Sequence, residues 1–473
     1  MTECKPTEVQ LHPVGARDLV ARFDGGNITS DAGGILLREL EQKTKIISQF
    51  AECFTDYRDP DLIEHSVYDL LAQRVYGLAL GYEDLNDHDD LRNDPLMAVM
   101  VGKSDPTGSD RVRERDKGKA LAGKSTLNRL ELTPVGANED SRYKKIVASC
   151  ASIEQVFVKL FLQAYPEPPK RIVLDLDSTD DPVHGNQLGR FFHGYYKNYC
   201  FLPLYIFCGE HLLCAALRPA DIDASAGALG HLQRIVTAIR AQWPDVEIVV
   251  RGDSGFCRDH IMNWCEREHV DFLFGLAQNK RLIRIIGLEM HQAKQQSETT
   301  GQAARVFKDF IYRTHKSWSR TRRVVGKAEH LTGKANPRFV VTSLSQEQFD
   351  AVTLYEKEYC ARGEMENRIK EQQLYLFADR TSAETMRANQ LRLWFSSIAY
   401  TLLATLRHKA LAGTEMASAR CDTIRLKLLK IGAQVRVTVR KIWLSLSEAY
   451  PLREVFEQVM ANICRLPAMP MRC

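Results

Sequence analysis

RIVLDLD (Arg171–Asp177) is an alternating apolar run with β-branched residues, and it ends in the polar pair Ser178 and Thr179. That is the pattern of a β-strand leaving a core. Downstream, FLPLYIFCG (Phe201–Gly209) and LLCAALR (Leu212–Arg218) read as two more strands. A helix is expected from Gly227 to Trp243, a strand in VEIVVRGD (Val246–Asp253), a helix over Arg258–His269 and a strand in VDFLFGLA (Val270–Ala277). Strands alternating with helices predict an α/β sheet covered by helices. Upstream, residues 1–150 read as mainly helical after an irregular start, with apolar residues at helical spacing from Leu62 to Leu80. An acidic stretch follows from Glu83 to Asp94, and residues 101–120 read as a polar connector. Beyond the sheet, RVFKDFIYRT, RRVVGKAEHL and RFVVTSL read as β-strands within residues 300–345. After Tyr359 the chain turns helical to about Ala412, and its last stretch reads as helical with a basic bias.

Two acids stand where buried strands run out. Asp177 ends LDLD, and Asp253 ends IVVRGD before Ser254 and Gly255. In an open α/β sheet, sites form outside the carboxyl ends of strands. An Asp there is also a common turn or capping residue, but two on separate strands of one sheet favour a metal site. A third acid comes from a helix. Tyr359, Arg362, Glu366 and Gln373 fall along one helical face, with Lys370 four residues beyond Glu366. A salt-bridged face in solvent explains Arg362, Glu366 and Lys370 without any function. Phosphate chemistry explains them too, the acid holding metal and the bases the phosphodiester. Asp177, Asp253 and Glu366 together would suit a two-metal centre for Mg²⁺, with Mn²⁺ able to substitute, since these ions take oxygen ligands and few carboxylates.

The whole-chain numbers bound the answer. The 473 residues suit two to four domains, and 44% hydrophobic with 26% charged residues excludes a disordered or fibrous chain. The twelve cysteines are scattered, Cys4 and Cys473 among them, with no C-x2-C spacing, which argues against a zinc site. The N-terminus lacks an apolar signal core, and no uncharged run approaches a membrane span. A soluble, reduced, cytoplasmic protein with no membrane partner is expected.

Six stretches carry a family likeness: FDGGNITSDAGGILLRELE (Phe23–Glu41), AGKSTLNRLE (Ala122–Glu131), LDLDSTDDPVHG (Leu174–Gly185), VVRGDSGFC (Val249–Cys257), YCARGEMENRIKE (Tyr359–Glu371) and NQLRLWFSSIAYTLL (Asn389–Leu403). In this order they resemble bacterial insertion-sequence transposases of the DDE type, in the branch with a Y-x2-R-x3-E signature, and most of all the insertion-sequence 1380 family. The likeness covers nearly the whole chain. It implies an α/β fold with a ribonuclease H-like catalytic core at residues 165–280 and 350–412. A β-rich insertion domain would occupy 281–349, a helical DNA-binding region 1–150 and a basic helical tail 413–473. It implies that Asp177, Asp253 and Glu366 hold metal and that Tyr359 and Arg362 belong to the catalytic set. The branch often continues E-x6-K; this chain has Gln373 there, and Lys370 is the substitute. Asp175, two residues from Asp177 on the same strand face, is the runner-up for the first acid. Asp253 and Glu366 lie 113 residues apart, an excess that matches the insertion. In relatives, aromatics of that domain stabilise a flipped base; Trp318 is the candidate here, against the plainer account of a Trp packing a small β-core.

The net charge of +4 conceals segregation. Residues 305–334 and residues 405–441 each hold nine Lys or Arg and two acids, so the remainder is acidic. Such segregation marks a polyanion-binding face. The expected DNA contacts are Trp318, Arg320, Arg322 and Arg323 in the first window, Arg425, Lys427 and Lys430 in the second, and Lys124 and Arg129 near the N-terminus. Gly118–Ser125 spells a P-loop, but no apolar strand precedes it, so no nucleotide cofactor is expected. The resemblance implies double-stranded DNA as partner, both terminal inverted repeats and target. It also implies a homodimer on that DNA and a nucleoid-associated location when bound. The rival readings are a nuclease or resolvase of the same fold that cuts without joining, a non-catalytic DNA-binding derivative, and a P-loop ATPase.

Overall fold

β1 (Arg171–Ser178) forms where the alternation places it, and its two faces have different fates. Ile172, Leu174 and Leu176 enter the main hydrophobic core, while Val173, Asp175 and Asp177 point to the opposite face, as period-two geometry requires. β2 (Leu204–Cys208) and β3 (His211–Ala216) follow as an antiparallel hairpin against β1. β4 (Glu247–Gly252) lies parallel to β1, and β5 (Asp271–Leu276) parallel to β4. The structure is a computed structural model describing residues 8–468; Cys4 and Cys473 lie outside them. None of the ten described cysteines is in a disulfide.

The sheet does not stop at β5. β6 (Ala304–Tyr312), β7 (Arg322–Leu331) and β8 (Arg338–Thr342) join it, giving the order β3-β2-β1-β4-β5-β8-β7-β6. A ninth strand, Lys334–Ala335, pairs with the end of β7. The stretch expected to be a separate β-rich insertion domain therefore continues the core sheet. The reason is the free edge of β5: Leu273 to Leu276 pair antiparallel with Thr342 to Phe339, which satisfies main-chain groups that an edge would leave open. Residues 287–300 of that stretch are helical, not β.

Helices cover the sheet. α1 (Cys150–Ala164) and α2 (Ala228–Gln242) bury Val158, Phe161, Leu232, Ile235 and Ile239 against the Leu174 face. On the other face, Val249, Leu273, Val325 and Val340 pack against Leu354 and Tyr355. Those two residues lie in an unbroken helical run that starts at Ala351 and passes from α through π (Leu354–Tyr359) and 3₁₀ (Cys360–Arg362) geometry before α3 (Gly363–Lys370). Irregular turns of this kind re-aim side chains and are frequent at functional sites.

This sheet and its helices make one compact unit, Ser149–Leu374 with Ala378–Ser397. The second unit joins the N-terminal residues through Ala148 to Tyr375–Phe377 and the residues from Ile398 onward. Its helix Val67–Leu80 starts at a reciprocal Ser66–Asp69 capping box and ends at Gly81, whose φ of 98° suits only glycine. The C-terminal residues were expected to form a helical tail of their own. Instead Ala433–Val437 and Ile442–Leu446 form a hairpin whose first strand pairs with Ile28–Thr29. QVRVTVRKIWL alternates β-branched and polar residues, a strand pattern that basic composition had masked. Among the described residues there, only Arg453–Arg465 is a long helix, packed on Ile35–Thr44. No helix among the described residues is long and apolar enough to cross a membrane.

Candidate active site

Asp177 is the penultimate residue of β1, and Asp253 directly follows β4. The strands run parallel with Asp175 level with Arg251, so both carboxylates emerge at the same end and on the same face. The helical run packed on that face brings Glu366 from α3. All three acids line one cavity of about 550 Å³, together with Arg362, Lys370 and Gln373.

Arg362 links two of them. Its Nη2 donates to Glu366 Oε1 at 2.7 Å, and its Nη1 stands 3.5 Å from Asp177 Oδ2. Main-chain N–H groups fix the two aspartates locally: Ser178 donates to Asp177 Oδ1 and Gly255 to Asp253 Oδ1. Burial pushes the Asp177 carboxyl up to about 7; Arg362 opposes this, and the negative charges of Asp253 and Glu366 add to it. Tyr359 reaches the same neighbourhood. Its hydroxyl lies where a Cβ on Gly275 would come within 2.5 Å, so glycine is required there. Burial raises the Tyr359 pKa, against the pull of Arg362. Among the described residues no three acid, His or Cys side chains are already gathered as a metal cage, and Arg362 pairs with both Asp177 and Glu366.

Behind the cavity lies a pair that the sequence did not single out as such. Asp175 and Arg251 are Cα partners across β1 and β4 and bond twice, at 2.5 and 2.8 Å, with both side chains under a tenth exposed. Arg251 also donates to the Glu358 carbonyl, and Arg171 pairs with the Glu358 carboxylate at 2.7 Å. Asp175, the runner-up first acid, is thus committed to an arginine, whereas Asp177 faces the cavity. Gln373 donates to the Asp180 carbonyl at 3.0 Å, while Lys370 is exposed at the cavity. A second overlooked group is the hairpin at residues 190–199, whose His193, Tyr195 and Tyr196 also line the cavity. Its signal was there in the density of aromatics in FFHGYYKNY.

The expected DNA contacts divide sharply. Trp318 is 5% exposed, packed edge-on against Tyr312 with the Arg322 guanidinium over its ring. It fills a core, the plainer of its two accounts, and offers no face for stacking. Arg322 is buried between Asp259 and Glu266, and Arg323 is held by Asp309 and the carbonyls of Leu344 and Phe349. Arg425 donates to the carbonyls of Leu78, Ala79 and Tyr375, and Lys430 pairs with Asp31 at 2.5 Å. These bases are used internally. Arg320, Lys427, Arg129 and Lys124 are more exposed, although Arg320 leans on Glu266 at 3.4 Å and Lys124 on Asp89 at 3.4 Å. The P-loop spelling fails structurally. Gly123 precedes helix Lys124–Glu131 with no strand before it, and Asp89 accepts the Lys124 N–H where a phosphate would sit.

No curated protein matches this chain. The cryo-EM structure of the piggyBac transposase synaptic complex with hairpin DNA is similar over 94% of this chain and 87% of that one, at 12% identity and a TM-score of 0.42. The family described as Transposase DDE domain group 1 matches residues 11–468. That match, over nearly the whole chain, shows that this protein belongs to the DDE transposase family.

Proposed function

We infer that the protein binds the terminal inverted repeats of an insertion sequence, cleaves DNA strands there and joins the exposed 3′-hydroxyls to target DNA. The observation that carries this reading is the convergence of Asp177, Asp253 and Glu366 on one cavity from three separate elements. The strand order β3-β2-β1-β4-β5, with β2 antiparallel and β4 and β5 parallel to β1, supports taking the core as ribonuclease H-like.

The donor set fits a hard divalent ion. Three carboxylates share the cavity, and the raised Asp177 pKa reflects burial together with unbalanced negative charge, which a cation would relieve. Asp177, Asp253 and Glu366 would hold Mg²⁺ or Mn²⁺, which when bound supplies Lewis acidity to the attacking and leaving oxygens. Arg362 and Lys370 then hold the phosphodiester's free oxygens, Arg362 through its planar fork. Tyr359 sets the position of Arg362. Arg320, Lys427, Arg129 and Lys124 supply exposed charge for the DNA backbone, and two protomers act on paired ends, in the cytoplasm on the nucleoid.

The test is cleavage and strand transfer on end DNA with wild type and Asp253→Ala. Loss of both products in the variant, with end binding kept, supports the reading. A variant that cuts as well as wild type refutes the acid assignment. Cleavage of ends by wild type with no joined product from pre-cleaved ends leaves the nuclease instead.

A further inference from the structure

Between β1 and β2 the chain leaves the sheet as a small three-stranded ribbon of Asp181–Pro182, Phe191–His193 and Asn198–Phe201. Its hairpin carries four large aromatics in water: Phe191 at 42% exposure, Phe192 at 57%, Tyr195 at 83% and Tyr199 at 51%. Clustered exposed aromatics are costly, and on a folded protein they mark a contact surface. These rings pack edge to face, which holds them in place. Phe192 and Tyr199 face each other across the two strands with ring centroids 5.6 Å apart, and Tyr195 meets Tyr196 at 5.0 Å. The Arg190 guanidinium lies 4.7 Å over the Tyr199 ring, and Lys197 completes the turn.

The hairpin is tied to the acid site. The Tyr196 hydroxyl donates to the carbonyl of Ser178, the residue after Asp177, at 3.2 Å. Asn198 donates to the Asp180 carboxylate at 3.0 Å. His193, Tyr195 and Tyr196 line the same cavity as Asp177, Asp253 and Glu366. An extended strand whose phosphate entered that cavity would pass its neighbouring bases over these rings.

We propose that the hairpin 190–199 is a stacking platform for unpaired DNA bases next to the phosphate in the acid cavity. The occupant follows from chemistry. Aromatic faces beside Arg190 and Lys197 match a ligand that alternates flat rings with negative charge, and a single strand is such a ligand. Bases inside a duplex already stack on one another and present only their edges, so the rings select strands that are frayed or opened at the cleavage point. The platform is continuous with the proposed catalytic cavity and rests on that reading for the identity of its substrate.

The probe is a single-stranded oligodeoxyadenosine carrying one 2-aminopurine, compared with the same strand annealed to its complement. Binding is measured by titration and stacking by quenching of the 2-aminopurine, using the full chain. Tyr195→Ala, whose ring is mostly in solvent, is expected to bind the single strand about ten-fold more weakly and to lose the quench, with duplex affinity within about two-fold of wild type. Tyr195→Phe keeps the ring and restores single-strand binding and quench. Equal weakening on both DNA forms, or no weakening on either, overturns the platform. So does a Phe191→Ser/Phe192→Ser variant that turns a dimer into a monomer with single-strand binding intact, since the face would then join two copies. Cleavage of element ends is scored separately. Ends that are neither cut nor joined, with the platform's DNA signature present, sink the proposed function alone. Ends cut and joined, with Tyr195→Ala binding like wild type, sink the platform alone.

Discussion

Asp175 and Arg251 sit level on parallel strands and clasp each other two residues before Asp177 and Asp253. The same guanidinium holds the Glu358 carbonyl, next to Tyr359 and on the helical run that leads to Glu366. One buried arginine therefore touches all three elements that carry the acids, and it fixes their register one step behind the cavity.

Removing Arg251 leaves Asp175 buried without its bidentate partner. Arg251→Ala is expected to lower unfolding stability by about 3–5 kcal/mol. Replacing both members with apolar residues, as in Asp175→Leu/Arg251→Met, should recover most of that loss in denaturant titrations. Cleavage should not recover, because the Glu358 carbonyl still lacks its donor. Recovery of both would reduce the pair to packing.

Asp177 gives stability a pH dependence of definite sign. Its folded pKa, raised to about 7 chiefly by burial, exceeds the unfolded value near 4, so the folded state holds the proton more tightly. Its contribution is fully present below about pH 4 and is lost as pH rises to about 7. In metal-free buffer, Asp177→Asn should therefore gain thermal stability over wild type at pH 8 and show no gain at pH 4. A gain that is equal at both pH values would contradict the burial argument.

Arg362 balances charge between Asp177 and Glu366. Arg362→Ala should slow end cleavage by about 10²-fold, the usual cost of one aimed donor at a phosphoryl site. Arg362→Lys should recover little, since an ammonium lacks the fork that reaches two partners. Single-turnover rates at saturating DNA separate this from weaker binding.

Trp318→Ala should cost about 3–5 kcal/mol in unfolding, as for any buried large aromatic. Its effect on single-strand binding should be no larger than its effect on duplex binding. Preferential loss on single strands would return Trp318 to the DNA surface.

The sequence alone determined the α/β core and the strand ends at which Asp177 and Asp253 stand. Period-two alternation in RIVLDLD and VEIVVRGD decides which side chains are buried, and burial of one face is enough to aim Asp177 and Asp253 together. Helical spacing put Tyr359, Arg362 and Glu366 on one side even though the run changes from π to 3₁₀ to α along the way. Tertiary structure decided which bases are free. A charge count gives nine Lys or Arg in each window, but Arg322, Arg323 and Arg425 find carboxylates or carbonyls that lie far away in the chain. It also decided that residues 304–342 extend the core sheet, because only the folded edge of β5 shows what needs a partner. Local pattern dictates facing and period; partnership between distant polar groups exists only once the chain has closed.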